Sequence, residues 1–258
     1  MKILVIAPHQ DDEILSSYHY IKQQLQNGAE IKIVFVTNGD YQGPTYAKYR
    51  YFESTTVLKK LGLPLDSIYY MGYADTGMRL EKSFLYRLYN ASDDAIQQSP
   101  FSYKTYHPVG EKTLHAILYG QEAFYTRRNL LADLKNVIYY FNPDTVVLPS
   151  QYDFHGDHKA VNYFMNDIFQ KDNFHINVMY YLIHGGNDQL WPNFSNKAYL
   201  QAKCIPKALW EQRIIIPANA IQRLEKNAAI QKFESQHPNN LNAFLLRFAK
   251  EEEFFLNV

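Results

Sequence analysis

Short β-branched and apolar runs alternate along this chain with longer stretches in which apolar residues recur three and four positions apart. The short runs fit strands and the long stretches fit helices that cover them, so the alternation predicts βαβ units and a largely parallel, Rossmann-like α/β sheet. The strands expected are Ile3–Ala7, Ile31–Thr37, Ser67–Met71, Thr145–Leu148 and Asn177–Ile183. Helices are expected at Ile14–Gln26, ended by Asn27-Gly28, and at Tyr46–Leu61, ended by Gly62 and Pro64. Further helices are expected at Thr126–Phe141, stopped by Asn142-Pro143, at His158–Phe169 and at Ala220–Ser235. Glycine just past the last apolar position is a usual helix stop, because it adopts the left-handed conformation that closes the final turn.

Two segments break this rhythm. Residues 73–125 carry several tyrosines and no strand pattern, and they include Thr105-Tyr106-His107-Pro108-Val109-Gly110. Residues 185–218 are loop-rich, with Gly185-Gly186-Asn187-Asp188 and Trp191-Pro192-Asn193. Long insertions in an α/β enzyme often form a lid or a pocket wall. With no internal repeat or linker, residues 1–258 read as one domain bearing these two insertions. The Glu251–Glu253 run reads as a solvated helix face.

Composition narrows the function. The chain has 258 residues, 47% of them hydrophobic, which is enough for a real core. Lys+Arg and Asp+Glu are both 26, so the basic surplus that phosphate-backbone binding requires is missing and nucleic acid is not an expected partner. A single cysteine, Cys204, excludes an intrachain disulfide and a thiolate zinc cluster. A reducing cytoplasm is the expected compartment. The opening apolar run, Ile3–Ala7, is too short for a secretion signal, and no run approaches the ~18 apolar residues of a membrane span. Aromatics make up 16%, with 22 Tyr and 16 Phe, which fits either codon bias or a sugar-stacking surface.

Candidate chemistry sits at two strand-to-helix junctions. Pro8-His9-Gln10-Asp11-Asp12-Glu13 follows the first strand and Asp153-Phe154-His155-Gly156-Asp157-His158 follows the fourth. A bare acidic helix start is also favourable to the helix dipole without any chemistry. In a parallel sheet, however, both junctions open on the same edge, where such folds place their ligands. His9, Asp12 and His158 would then offer two imidazoles and one carboxylate, three ligands with an open position, as in a catalytic zinc site. Asp11 and Asp12 are adjacent and cannot point the same way, so one is free to reach a water. His155 and His158 are three apart, so one can ligate while the other faces the substrate, held cationic by Asp157.

These motifs resemble the PIG-L or LmbE-like N-acetylglucosaminyl deacetylases. The family's Ala-His-Pro-Asp-Asp-Glu is similar to Pro8-His9-Gln10-Asp11-Asp12-Glu13, and its His-Pro-Asp-His is similar to His155-Gly156-Asp157-His158, with Gln10 and Gly156 standing where the family has proline. The likeness continues through Thr37-Asn38-Gly39, Arg50 and Glu53, Asp75, and Lys226 to Ser235-Gln236. It implies zinc, or Fe(II) or another divalent ion, on His9, Asp12 and His158. It implies Asp11 as general base, His155 as electrostatic stabiliser or acid, and Asp157 as its orienting partner. Arg50 would contact the substrate or instead pair with Glu53 on the surface. Asp75 would bind a sugar hydroxyl or cap a turn before Gly77. The implied reaction is hydrolysis of an N-acetyl group from an amino sugar or glycoconjugate, releasing acetate, with the oligomeric state open.

Four rivals are weaker. The metallo-β-lactamase signature fails at Asp153, where it needs histidine. A non-haem iron oxygenase using His9-Gln10-Asp11 would need a β-rich barrel. A metallo-hydrolase of another amide or ester, or a sugar-binding protein without turnover, stays open, although Asp11 and His155 beside the ligands favour catalysis.

Overall fold

The computed structural model describes residues 1–172, 174, 176–186, 191–236 and 243–257. Five strands, β1 (Lys2–Ala7), β2 (Glu30–Thr37), β3 (Ile68–Tyr73), β4 (Thr145–Pro149) and β5 (Asn177–Tyr181), form one sheet in the order β3-β2-β1-β4-β5. All neighbours pair in parallel, with Ile3 in register with Ile31 on one side and Thr145 on the other. β1 is buried on both faces: Ile3, Val5 and Ala7 enter one apolar cluster and Leu4 and Ile6 the other. Helices α1 (Asp12–Gln26) and α2 (Pro44–Leu61) cover the first face, while α3 (Phe84–Asn90), α5 (Arg127–Phe141) and α6 (Gly156–Asp172) cover the second. That split follows from handedness. Right-handed crossovers running one way from β1 and the other way from β4 put their helices on opposite faces. The order reverses between β1 and β4, which opens a crevice at their C-terminal ends.

The expected strands and helices are present with shifted ends. Thr126 is a cap rather than a helical residue, its side chain accepting from Asn129 N–H. Gly62 closes α2 in the left-handed conformation (φ 99°). The segment expected at Ala220–Ser235 is split into α8 (Ala220–Ile230) and a 3-10 turn at Glu234–Gln236.

The larger differences lie in the insertions and at the C-terminus. Residues 73–125 hold α3, the short α4 (Leu114–Tyr119) and a bridge between Lys104 and Phe124. The 185–218 segment holds α7 (Lys207–Glu211) and β6 (Ile214–Pro217), and its Asn187-Asp188 lies outside the described residues. Glu251–Glu253 is not a solvated helix face. It runs into β7 (Glu252–Phe255), antiparallel to β6, and Glu253 is buried against Lys226. The acidic letters concealed a buried strand that continues into Phe254, Phe255 and Leu256, all in the core. Leu256 exchanges backbone hydrogen bonds with Tyr180, so the C-terminal chain shields the β5 edge. No helix among the described residues is long and apolar enough to cross a membrane.

Candidate active site

The turn between β1 and α1 is strained. Asp11 has φ 142° and ψ −30°, a conformation uncommon outside glycine. Its carbonyl accepts from Ile14 and Leu15 N–H, both at 2.9 Å, and its own N–H donates to Glu13 Oε2 at 2.9 Å. This backbone sends the two aspartates apart. Asp11 Oδ1 meets Arg50 Nη2 at 3.2 Å, whereas Asp12 Oδ2 faces the imidazoles of His9 and His158.

Three atoms there form a near-equilateral triangle. His9 Nδ1 to Asp12 Oδ2 is 3.3 Å, Asp12 Oδ2 to His158 Nε2 is 3.2 Å, and His158 Nε2 to His9 Nδ1 is 3.3 Å. A tetrahedral zinc with ligand bonds of about 2.0–2.1 Å sets its ligand atoms about 3.3 Å apart, so this donor set fits such an ion in both chemistry and spacing. His155 widens the choice, since one nitrogen each from His9, His155 and His158 lie within 4.8 Å of one another, as do His9, Asp75 and Asp157.

A carboxylate stands behind each of the imidazoles of His9 and His158. Asp153 Oδ2 meets His158 Nδ1 at 3.0 Å, and it also accepts from the N–H groups of Ile183 and His184. Asp157 Oδ2 meets His9 Nε2 at 3.2 Å, while its Oδ1 accepts from Ser83 Oγ and Leu85 N–H. A carboxylate on the far nitrogen fixes an imidazole's tautomer and turns its near nitrogen toward a metal. Asp157 therefore does not hold the His155 ring as expected. Only its backbone N–H reaches His155, donating to Nδ1 at 3.2 Å. A neutral His155 then carries its proton on Nε2.

Burial opposes charge throughout. For His158, burial is outweighed by Asp12 and Asp153, which raise its pKa well above the ordinary value. For Asp12, burial is outweighed by the charge and hydrogen bond of His158, with His9 helping, so its carboxyl lies well below the usual range. Burial pushes Asp11 up to about 7 against the pull of Arg50. Burial, with His9, His158 and His184 adding to it, holds His155 well below the ordinary imidazole value, so the expected imidazolium is not what the surroundings favour.

Arg50 is buried, donating from Nη2 to Gln10 O at 2.9 Å as well as to Asp11. It is not paired with Glu53, whose carboxylate accepts from the N–H and hydroxyl of Ser235. Gly39 makes room for it: a Cβ there would lie 2.4 Å from Gln10 Oε1 and 2.9 Å from Arg50 Cδ. Asp75 caps the turn before Gly77, one of its two expected roles, and lies beside Arg50 and His9. Oδ1 accepts from Gly77 N–H, and Oδ2 lies 3.8 Å from both Arg50 Nη1 and His9 Nε2. Gly156 also has a local reason, because its N–H donates to Met78 O at 2.7 Å and a Cβ would lie 2.4 Å from Ser83 Cβ. The turn preceding α3 packs too closely there for a proline.

Sequence reading passed over Asp153, Ser83 and His184. Asp153 was visible as the second acidic residue of its junction, five positions before His158. Ser83 and His184 had no such signal, since they come from an insertion and from the end of β5 and meet the site only in the fold.

The chain matches the family described as GlcNAc-PI de-N-acetylase, PIG-L, over residues 4–169. A search of curated protein sequences finds no match. Among solved structures, N,N'-diacetylchitobiose deacetylase from Pyrococcus horikoshii with its inhibitor MPG is 18% identical at a TM-score of 0.58, over 100% of this chain and 83% of that one. The zinc-inhibited form of teicoplanin deacetylase Orf2 is 17% identical at 0.56, over 96% and 90%. The 4-carboxy-2-hydroxymuconate hydratase GalB from Pseudomonas putida is 12% identical at 0.51, over 96% and 82%. At such identities these likenesses show a common fold, and one that serves more than one reaction.

Proposed function

Since the chain belongs to the GlcNAc-PI de-N-acetylase family, PIG-L, we propose that it is a metal-dependent N-deacetylase that removes acetate from an N-acetylglucosamine-type amino sugar or glycoconjugate. The observation that carries this reading is the triangle of His9, Asp12 and His158, with Asp11 on one flank and His155 on the other. We read residues 1–258 as one catalytic domain and the cytoplasm as its compartment.

His9, Asp12 and His158 would hold a divalent cation, zinc by their spacing and Fe(II) as the substitute that the same donors accept. When bound, that ion supplies Lewis acidity, which polarises the acetamide carbonyl and makes water reactive near neutral pH. Asp11, raised to about 7 by burial, accepts the proton of the attacking water and returns it to the departing amine, a range in which one carboxyl can do both. Arg50 aims Asp11 and, with Asp75, lies where sugar hydroxyls would be read. His155 donates its Nε2–H to the developing oxyanion, as a neutral donor. The 73–125 insertion reaches this region through Tyr106, whose hydroxyl donates to Asp40 Oδ2 at 2.6 Å, and Asp40 Oδ1 accepts from Asp75 N–H at 2.8 Å. We therefore read it as part of the substrate mouth.

The test is acetate release from a panel of N-acetylglucosamine and its glycosides, with protein reconstituted with Zn2+ or Fe2+. Turnover that is lost on chelation and restored by metal supports the proposal. Saturable sugar binding with no acetate released from any member would instead indicate a binding protein. Full activity without metal would overturn the metal centre.

A further inference from the structure

α1 carries Asp12 in its first turn, and its middle is invaded by charge. In a regular helix the N–H of His19 bonds the carbonyl of Leu15, four residues back. Here other groups engage both ends of that rung. Lys226 Nζ donates to Leu15 O at 2.7 Å, and His19 N–H donates to Glu253 Oε1 at 2.9 Å. The next N–H, that of Tyr20, donates to Glu253 Oε2 at 2.9 Å. Lys226 Nζ and Glu253 Oε1 are themselves 2.7 Å apart and fully buried. One carboxylate collects two consecutive mid-helix N–H groups only where the turn has opened, and insertion of a side chain into the ladder is a recognised cause of helix bending.

Resting on the metal centre proposed above, we infer that the Lys226–Glu253 pair is a positioning device, which holds α1 open at Leu15–Tyr20 and so sets the direction in which its first turn presents Asp12. Both residues lie beyond the family-matched span, on α8 and β7. The C-terminal region thus has a task at the site although it gives the site no ligand. The opened rung is three residues past Asp12, so any closure of it rotates the turn that carries the carboxylate. His9, just past β1, and His158, on α6, lie outside that turn, and His9 N–H donates to Asp12 Oδ2 at 2.9 Å.

The test separates positioning from mere stability. A buried ion pair replaced by apolar residues of similar volume commonly keeps or regains stability, whereas loss of one partner leaves an uncompensated charge. The double variant Lys226→Met/Glu253→Leu should melt near the parent temperature in its metal-free form, and its α1 ladder should close. Its Zn2+ affinity, read by chelator competition with the metal alone, should fall by about 10-fold or more, the loss usual when support behind a ligand is removed. Glu253→Asp provides the second measurement, since it keeps the charge but is too short to reach both N–H groups. Hydrogen exchange at His19 and Tyr20 should speed up in it while Zn2+ affinity falls. Parent-like Zn2+ affinity in either variant overturns this inference alone. A parent protein that binds no Zn2+ or Fe2+ overturns the metal centre and this inference with it.

Discussion

α1 meets buried charge at two places, and the two are built differently. At its middle, Lys226 and Glu253 are matched one to one, and each has further partners: the ammonium donates to Leu15 O and Glu253, and the carboxylate accepts from Lys226, His19 and Tyr20. At its N-terminus, Asp11, Asp12, Asp75, Asp153 and Asp157 are all buried, and Arg50 is the one guanidinium among the described residues that touches them. Burying charge without a partner costs several kcal/mol per ion (about that order), so a folded protein tolerates it only where something compensates. The middle of the helix is complete in itself. At its N-terminus the carboxylates instead face Arg50 and the imidazoles of His9 and His158, whose pKa values they raise. The divalent cation proposed above would take over that compensation, which distinguishes a candidate site from a structural pair.

The sharpest way to break this contrast is to remove one corner of the triangle. Asp12→Ala or His158→Ala should abolish stoichiometric metal and turnover together, as measured by metal analysis and acetate release. With metal at 100 times its Kd, binding contributes about 2.7 kcal/mol of stability. These variants should therefore lack the metal-dependent rise in melting temperature expected of the parent. Asp11→Asn removes the proposed base and leaves all three corners, so metal content should persist while kcat falls by ~10²–10⁴-fold. An empty site in Asp11→Asn would reverse the roles of the two aspartates.

His155→Ala comes next, with kcat lowered ~100- to 1000-fold, as for loss of an oxyanion donor, and metal content unchanged. Loss of metal would make His155 a ligand, the arrangement that its proximity to His9 and His158 also allows. Asp153→Asn tests the carboxylate behind His158 and should weaken metal binding by ~10- to 100-fold. Unchanged affinity would mean that Asp153 serves only the backbone of Ile183 and His184.

Much of this was legible in the letters, for a physical reason. Strand alternation and helix stops are local, and βαβ handedness turns them into a sheet whose C-terminal edge must gather both junctions. His9, Asp11, Asp12 and His158 could therefore be placed together before any coordinates. The pairing of Asp157 with His9 rather than His155 could not, because it depends on side-chain direction at the start of α6 and on Ser83 arriving from α3's cap. Arg50 beside Asp11 depended on Gly39 leaving space. The Glu251–Glu253 run misled because three acidic letters suggest solvent. Only the distant Lys226 and two helix N–H groups make Glu253 a core residue.

The smallest expected effect decides whether α8 influences the site through Lys226 or through general firmness. Asn219 caps α8, accepting from Gln222 N–H while Gln222 Oε1 accepts from Asn219 N–H, and this capping box is exposed and bonds to no candidate ligand. Asn219→Ala should cost about 1 kcal/mol, a fall in melting temperature of roughly 2–4 °C for a chain of this size. Lys226 sits beyond the frayed first turn, and Glu253 with Leu15 O holds its ammonium independently of the cap. Zn2+ affinity and kcat should accordingly stay within about twofold of the parent, well under the 1.4 kcal/mol that a tenfold change represents. If Asn219→Ala weakens metal binding as much as the double replacement of Lys226 and Glu253, α8 acts on the site by stiffness. The matched pair in the middle of α1 would then be only a packing contact.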